Sequence, residues 1–410
     1  MRQRANGRKS KTRRAIEIKR LLLAIGACLS LGCLSGCWST VELNDRSFAK
    51  ILLVDKTEAG IELTLGFPLP NQLVPNQAGG GGGGKTDYPF SYVTKTDKEI
   101  AKAYRAIQSD LSRKIAFGQL EIIIIGRRLA EDGIGPVVDF IAREPKLHIN
   151  SYLFVLDGSL KEFANIPVGF ERFPVDILTA YAEEQVTVEV TLKDLLMANY
   201  SGGDLVIPTI VFDREGMVKK KKGEKWLGTD GAAILRNGRM VSKLNTKEMR
   251  GALWILGKLQ DAEVNVTSPT DGKTISFLVT NATTRINPET GSPLKIHINC
   301  KADVDVLANE SDMTLDTPDQ LRILERSLGE KLEKRIAQAV AVSKEAKADA
   351  FQLGNYIRWY YPRKWKEMKK DWRQLYADHI IVDQHVDVAI KRLGAARKPE
   401  GQRLHAGKEE

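Results

Sequence analysis

The feature that most constrains this chain is its first 37 residues. A cationic stretch ends at Arg20, and an apolar segment follows it at residues 21–34. This segment is shorter than the roughly 20 apolar residues that a membrane-spanning helix needs, and the order of its parts matches a secretory signal peptide. We therefore predict a signal peptide at residues 1–36, which takes no part in the mature fold.

The signal segment ends in Leu34-Ser-Gly-Cys37, which has the pattern of a bacterial lipobox. Small residues before Cys37 fit a peptidase cleft, and the Cys37 thiol would take a diacylglyceryl group before cleavage after Gly36. Cys37 is then predicted to be the N-palmitoyl and S-diacylglyceryl anchor of an exported protein, since several acyl chains hold a protein stably on a bilayer. The alternative is a plain signal peptide in which Cys37 has no role.

Removal of the leader also removes the basic character of the chain. The whole sequence has 62 Lys and Arg against 52 Asp and Glu, but residues 1–36 hold nine of the basic side chains and one of the acidic ones. The mature chain is nearly neutral, so the basic pI gives no reason to expect a nucleic-acid partner. Cys300 is the one cysteine left for the fold, which excludes an intramolecular disulfide, and its place in an alternating strand predicts a buried thiol.

The predicted elements divide the mature chain into two unlike halves. Residues 48–213 show the order strand, helix, strand, helix, strand, which predicts an α/β-like layer. Residues 226–394 contain a hairpin turning at Asn237-Gly238, several strands and a long helix starting at Thr317-Pro318. That half is predicted to be an α+β domain with mostly antiparallel strands. The fold class is therefore α+β (mixed α/β), in a multi-domain chain.

The segments around these halves are polar or rich in glycine. We predict a lipidated N-terminus and linker at residues 37–47 and a Gly-rich loop at 76–86, inside an N-terminal domain that could hold two subdomains. Residues 214–225 include four consecutive lysines, which are typical of a solvated linker or hairpin tip rather than of a binding site. Residues 395–410 form a polar tail.

Residues 79–86, six glycines followed by Lys85 and Thr86, match the phosphate-loop pattern of nucleotide-binding proteins. That site needs a strand before the loop and a helix after it, so that backbone N–H groups converge on phosphate. Here a Pro-containing stretch precedes the glycines, and a strand-like segment containing Pro89 follows them. We therefore interpret the loop as a flexible spacer and predict no nucleotide.

The polar residues indicate no catalytic or metal site. The histidines show no paired ligand spacing on a predicted helix, and no Ser, Cys or His arrangement supports a nucleophile. Strand alternation alone accounts for His297, His385, the pair Asp303 and Asp305, and the pair Asp383 and Asp387. We predict a protein that is not an enzyme and has no metal or cofactor.

The most unusual stretch of the mature chain is the aromatic and basic segment 358–376. Taken as one helix from Pro362, it carries Trp365, Met368 and Trp372 on one face, with lysines and arginines around the remainder. Such a helix could dock on an anionic membrane surface or on a partner protein. We favour instead a helix that packs its aromatic face into the second domain, because an acyl anchor already keeps the protein at the bilayer and exposed apolar side chains would invite aggregation.

An ordered set of motifs resembles one protein family. Cys37-Trp38 followed by Glu42-Leu-Asn-Asp45 is similar to the mature start of the Ger(x)C family, the C-subunit lipoproteins of bacterial spore germinant receptors. The similarity continues in the same order through residues 114–126, 190–196, 244–254 and 361–372. It departs at Ser39, where the family commonly has Asp, and at residues 51–55, which lack the usual glycines.

The resemblance implies a non-enzymatic subunit of a spore nutrient germinant receptor. It would be held through Cys37 on the extracytoplasmic face of the spore's inner membrane, beside a large and a permease-like integral-membrane subunit. The alternative is a solute-binding lipoprotein of a transporter, but such proteins usually have two similar lobes around a cleft, and the halves here are unlike. A surface-tethered hydrolase comes third, because no catalytic constellation supports it.

Overall fold

The structure is a computed structural model that describes Arg20, Ile25 and residues 42–69, 90–144, 146–166, 173–213, 226–315 and 317–394. The chain divides into two compact units, residues 1–47 and 48–410. In the first unit, a 3₁₀ turn at Leu43–Asp45 leads into strand β1 (Arg46–Phe48). Cys37 and the glycine-rich loop lie outside the described residues.

The second unit contains an eight-stranded mixed sheet. Its strands are β2 (Ile51–Thr57), β3 (Gly60–Pro68), β4 (Phe90–Asp97), β6 (Ile122–Gly126), β7 (Tyr152–Asp157), β8 (Leu205–Asp213), β9 (Trp226–Arg236) and β10 (Arg239–Leu244); the short β5 (Lys114–Ala116) lies outside it. The strand order is β10-β9-β8-β7-β6-β2-β3-β4. The four central strands β8, β7, β6 and β2 are parallel, and the strands towards both edges are antiparallel.

The central strands are apolar on both faces because both faces of the sheet are covered. In β6, Ile123 and Ile125 belong to the main core, whereas Ile122 and Ile124 belong to a second core on the opposite face. A parallel sheet buried on both sides produces such an uninterrupted apolar run. The apolar run Leu120–Ile125 predicts a buried strand, and β6 confirms it with slightly shifted ends.

Six helices of the described residues cover this sheet. They are α1 (Ile100–Asp110), α2 (Arg127–Asp132), α3 (Gly135–Arg143), α4 (Leu160–Ala164), α5 (Pro174–Glu183) and α6 (Leu192–Tyr200). The side chains of α4 and α5 pack into the second core, and those of the other four pack into the main core. The sequence Thr191-Leu-Lys-Asp194 predicts a capping box for α6, which is confirmed, since Thr191 and Asp194 exchange hydrogen bonds. The sequence Thr96-Asp-Lys-Glu99 predicts another for α1, which is wrong, because β4 pairs with β3 through Asp97 and takes Thr96 into the sheet.

The rest of the unit is a four-stranded sheet with its helices. These elements are α7 (Thr246–Ile255), β11 (Ala262–Thr267), β12 (Thr274–Glu289), β13 (Lys295–Asn309), α8 (Pro318–Glu345), α9 (Leu353–Tyr360), α10 (Pro362–Met368), α11 (Trp372–Asp378) and β14 (Ile381–Arg392). Strands β11, β12 and β13 are antiparallel, and β14 lies parallel to β13. The long helix α8 starts at Pro318, as predicted, and buries a row of side chains from Leu324 to Val340. The predicted mixed α+β class is confirmed.

The large sheet continues past the predicted domain boundary. Strands β8 and β9, which flank residues 214–225, pair with each other, and the β9–β10 hairpin turns at Asn237 and Gly238 as predicted, both with positive φ. The main core also runs without interruption from this sheet to α7 and the small sheet. Residues 214–225 lie outside the described residues, and the division into two domains there stays a prediction.

The aromatic and basic segment does not form the single helix that its spacing predicts. Helix α10 ends at Met368, the N–H of Asp371 donates to the Met368 carbonyl at 3.1 Å, and α11 begins at Trp372. This tight turn changes the direction of the chain. Trp372 is buried in the main core, and the half-buried Trp365 and Met368 of α10 pack against it.

Candidate functional site

The two buried acidic side chains among the described residues, Asp204 and Asp349, lie at the same cleft. The cleft has a volume of about 310 Å³ and lies between the end of α6 and helices α9 to α11. Lys369 and Arg373 also line it. We call this place the junction cleft, because it joins elements from the two halves of the sequence.

Asp204 stands at the start of β8, directly after Gly202 and Gly203, which both have positive φ. Its carboxylate accepts hydrogen bonds from the backbone N–H of Asn237 and of Asp349, each at 3.1 Å. Arg373 approaches the same carboxylate with two nitrogens, Nε at 3.0 Å from Oδ2 and Nη2 at 2.7 Å from Oδ1. A buried carboxylate is thereby paired and fully hydrogen-bonded, as burial of a charge requires.

Asp349 lies four residues before Leu353, the first residue of helix α9, and its side chain reaches the N-terminal N–H groups of that helix. Its carboxylate accepts from the backbone N–H of Leu353 and of Gly354, each at 2.8 Å, and from Trp372 Nε1–H at 2.9 Å. Burial raises the pKa of Asp349 to about 6, although these hydrogen bonds oppose the rise, and the charge of Asp204 adds to it. Asp349 therefore caps the helix, and its carboxyl group keeps its proton to a higher pH than an ordinary aspartate does.

This pKa predicts a pH dependence of stability. Between about pH 4 and 6 the folded protein holds a proton on Asp349 that the unfolded chain has released, so stability falls as pH rises through this window. We expect the free energy of unfolding in urea to fall by about 2–3 kcal/mol relative to the Asp349→Asn variant between pH 4 and 7. A difference between the two proteins that is constant over this range would contradict the assignment.

The contacts in the junction cleft join distant parts of the chain. Each oxygen of Asp204 and of Asp349 already accepts at least one hydrogen bond from the protein. The sequence analysis missed both residues and Arg373. Asp349 could have been noticed as an acidic residue just before a helix, but the partners of Asp204 lie 145 and 169 residues away, and no local pattern links them.

The three residues predicted as a docking face do not share one exposed surface. Trp372 is only 7% exposed, and its ring lies 5.2 Å from that of Trp365 and 6.0 Å from that of Tyr376. Trp365 and Met368 are half-buried and pack against the main core. The structure therefore favours the core alternative for Trp372, and docking through Trp365 and Met368 stays a prediction.

Other predicted positions fall partly outside the structure. Cys37, Lys85 and Thr86 lie outside the described residues, so the lipid anchor and the spacer stay predictions. Asp157, the last residue of β7, stands where an apolar strand could present a magnesium-binding Asp beside a phosphate loop, and it pairs with Arg127 at 2.8 Å. In the described part of the chain, no helix is long and apolar enough to cross a membrane.

Histidine and aspartate side chains of the small sheet contact charged side chains at its surface. His297 lies 2.9 Å from Glu289, and His385 lies 3.1 Å from Glu333. Asp303 and Asp305 face Lys391 and Arg392 of β14. Within the described ranges, no group of three or more acidic, histidine or cysteine side chains is arranged to hold a metal ion.

Cys300 is a buried free thiol, as predicted. Its Sγ lies 3.4 Å from the hydroxyl of Thr284, on the neighbouring strand β12. Burial raises the pKa of the Cys300 thiol, with the Thr284 contact opposing it. A protonated and buried thiol is unreactive, which is consistent with a packing role.

Comparison with known proteins shows the family. Residues 39–212 match the family described as spore germination protein N-terminal domain, and residues 230–394 match the spore germination B3/GerAC-like C-terminal domain. Among Bacillus subtilis (strain 168) relatives, spore germination protein KC is 26% identical, over 93% of this chain and 98% of its own length. Spore germination protein B3 is 26% identical, over 87% and 93%.

A solved structure shows the same fold. The crystal structure of the GerBC protein superposes with a TM-score of 0.54 at 19% identity, covering 84% of this chain and 97% of that one. Both domain matches, in order and together covering most of residues 39–394, define a spore germination protein. The chain belongs to the Ger(x)C family.

Proposed function

We propose that this chain is the lipid-anchored, non-enzymatic subunit of a spore nutrient germinant receptor. The observation that carries the proposal is the match of both domain families, in order, together with relatives named as spore germination proteins that align over nearly their full length. The expected place is the extracytoplasmic face of the spore's inner membrane. Its expected partners are a large and a permease-like membrane subunit.

Two features of the described residues support a binding subunit over an enzyme. The buried carboxylates serve as a helix cap and as the partner of Arg373, and the free thiol is buried and protonated. Catalysis by a nucleophile or general base needs such a group to be accessible and poised. The contacts of these groups instead hold elements together.

The alternative, a solute-binding lipoprotein of a transporter, receives less support. Solute binders usually enclose their ligand between two similar lobes. Here the large sheet and the small sheet differ in topology, and the main core runs through both. The two functions also predict different defects: loss of the gene would impair nutrient-triggered germination in one case and uptake of a solute in the other.

The anchor is tested by Cys37→Ala. We expect this variant to lose fatty-acid label and most of its membrane association, and spores that carry it to germinate poorly in nutrient, because acyl chains supply the membrane affinity. Metabolic labelling with a fatty acid and fractionation of membranes measure both effects. Cys33→Ala is the matched control and should keep the label. Equal labelling of Cys37→Ala and wild type would show that the lipid is attached elsewhere.

A further inference from the structure

The surface formed by the end of α9, by α10 and by the turn after it carries an unbalanced positive charge. We call residues 358–371 the basic face. Its six cations are all exposed: Arg358, Arg363, Lys364, Lys366, Lys369 and Lys370. Glu367 and Asp371 are its only acidic residues, which leaves a formal charge of +4 on 14 residues.

None of these six cations is neutralised in the fold. Within the described residues, none of them forms an ion pair or a side-chain hydrogen bond. Some exposed lysines of the same unit do have partners, such as Lys391 with Asp303 and Lys273 with Asp312, whereas the basic face brings six unpaired cations together within 14 residues. Mutual repulsion within the basic face is therefore uncompensated, and an external anion would relieve it.

The exposed aromatic residues of the same face are of the amphipathic kind. Trp359 is 63% exposed and Tyr360 is 59% exposed, side by side at the end of α9. Tyr200, with 84% exposure, precedes Ser201, which lines the junction cleft together with Lys369 and Lys370. Trp and Tyr are the residues enriched at membrane–water interfaces, where one part of the ring is apolar and the other is hydrated.

We propose that the basic face docks on the headgroups of an anionic lipid bilayer, as a contact separate from the acyl anchor. Lysine is depleted in protein–protein interfaces, whereas anionic lipid surfaces attract clusters of Lys and Arg. The composition of this face, four lysines and two arginines beside exposed Trp and Tyr, therefore fits a lipid surface better than a protein groove. The contact would give the anchored protein a fixed orientation on the membrane.

The inference builds on the proposed membrane attachment, and lysine footprinting of the full chain tests it. The protein is incorporated into vesicles of phosphatidylcholine alone or of equimolar phosphatidylcholine and phosphatidylglycerol. The vesicle-bound fraction is acetylated briefly, and modification is read by mass spectrometry at Lys364, Lys366, Lys369 and Lys370. Lys301, which is exposed on β13, is the internal control.

We expect the four lysines to be protected several-fold in the anionic vesicles and not in the neutral ones. Each lipid-facing cation contributes about five-fold to the equilibrium constant for docking, so Lys364→Gln with Lys366→Gln should lower that constant about 25-fold and nearly abolish the protection read at Lys369 and Lys370. High salt should remove the protection, because it screens exposed charges. The matched control, Lys301→Gln with Lys334→Gln, removes the same charge from exposed positions outside the basic face and should change nothing.

Equal modification in both kinds of vesicle would overturn the docking. Protection that arises only in membranes containing other receptor subunits would also overturn it, and would assign the face to a protein partner. The outcome is independent of the anchor test. A missing fatty-acid label at Cys37 refutes the anchor, while the footprint is still read on the vesicle-bound protein.

Discussion

Replacing Trp372 by alanine is expected to cost about 3–5 kcal/mol of the free energy of unfolding. The ring is almost completely buried between Trp365 and Tyr376, and its Nε1–H donates to the buried carboxylate of Asp349. The variant therefore loses apolar contacts and also one of the three hydrogen bonds that stabilise a buried charge. A loss of this size approaches the whole stability of a typical domain, so we expect a strongly lowered melting temperature or no folded protein.

The matched control is Trp359→Ala, in the same aromatic and basic segment. Trp359 is exposed and makes one edge contact with Tyr356 at 5.1 Å, so its removal should change stability by less than about 1 kcal/mol. Thermal and urea unfolding of the two purified variants separate the roles of the rings. If Trp372→Ala melts within about a degree of wild type, the ring is not a core residue, and the docking alternative for Trp372 returns.

Local signals of the sequence were sufficient for much of the fold. The apolar run in β6 predicts a strand buried on both faces, and Asn237-Gly238 predicts the hairpin between β9 and β10. The alternation around Cys300 predicts both a strand and a buried thiol. In each case a few neighbouring residues determine the structure, because the spacing of apolar residues along a strand and the geometry of a turn are local properties.

The prediction failed where a distant contact decided the local structure. The spacing of Trp365, Met368 and Trp372 fits one helix, but the chain turns at Asp371 and Trp372 reaches Asp349. The close approach of the rings also depends on Gly354, where a Cβ would lie 2.7 Å from the Trp372 ring. Helical periodicity carries no information about such a partner, so the sequence indicates a buried aromatic face but neither the turn at Asp371 nor the bond to Asp349.

The candidate site shows the same limit. The basic character of segment 358–376 is visible in the sequence, yet the exposed aromatic residues proved to be Trp359 and Tyr360, and Trp372 proved to be buried. The junction cleft was not predicted at all, since Asp204 and Arg373 are 169 residues apart. Without knowledge of which elements meet, a lone Asp after two glycines indicates only a turn.

Removal of Arg373 is expected to be nearly as destabilising as removal of the Trp372 ring. In Arg373→Met the carboxylate of Asp204 keeps its two backbone N–H donors but loses the guanidinium, which leaves a buried charge without its counter-charge. Breaking one side of a buried pair typically costs about 3–5 kcal/mol. The same change frees Asn237 and Gly202 from Arg373 and so loosens α11 from the large sheet.

A double-mutant cycle separates this charge effect from lost packing. If the cost of Arg373→Met arises from the uncompensated charge of Asp204, removing that charge as well should restore part of the stability. The double variant Asp204→Asn with Arg373→Met should then lose less free energy of unfolding than the two single variants lose together, with a coupling energy above about 1 kcal/mol. The exposed pair of Arg322 and Asp319, whose side chains are 72% and 88% exposed, is the control. Arg322→Met should cost less than about 1 kcal/mol, because water screens that pair. Additive effects at positions 204 and 373 would mean that the pair does not hold α11 to the large sheet, and the junction would then depend on the Asp349 cap and on Trp372.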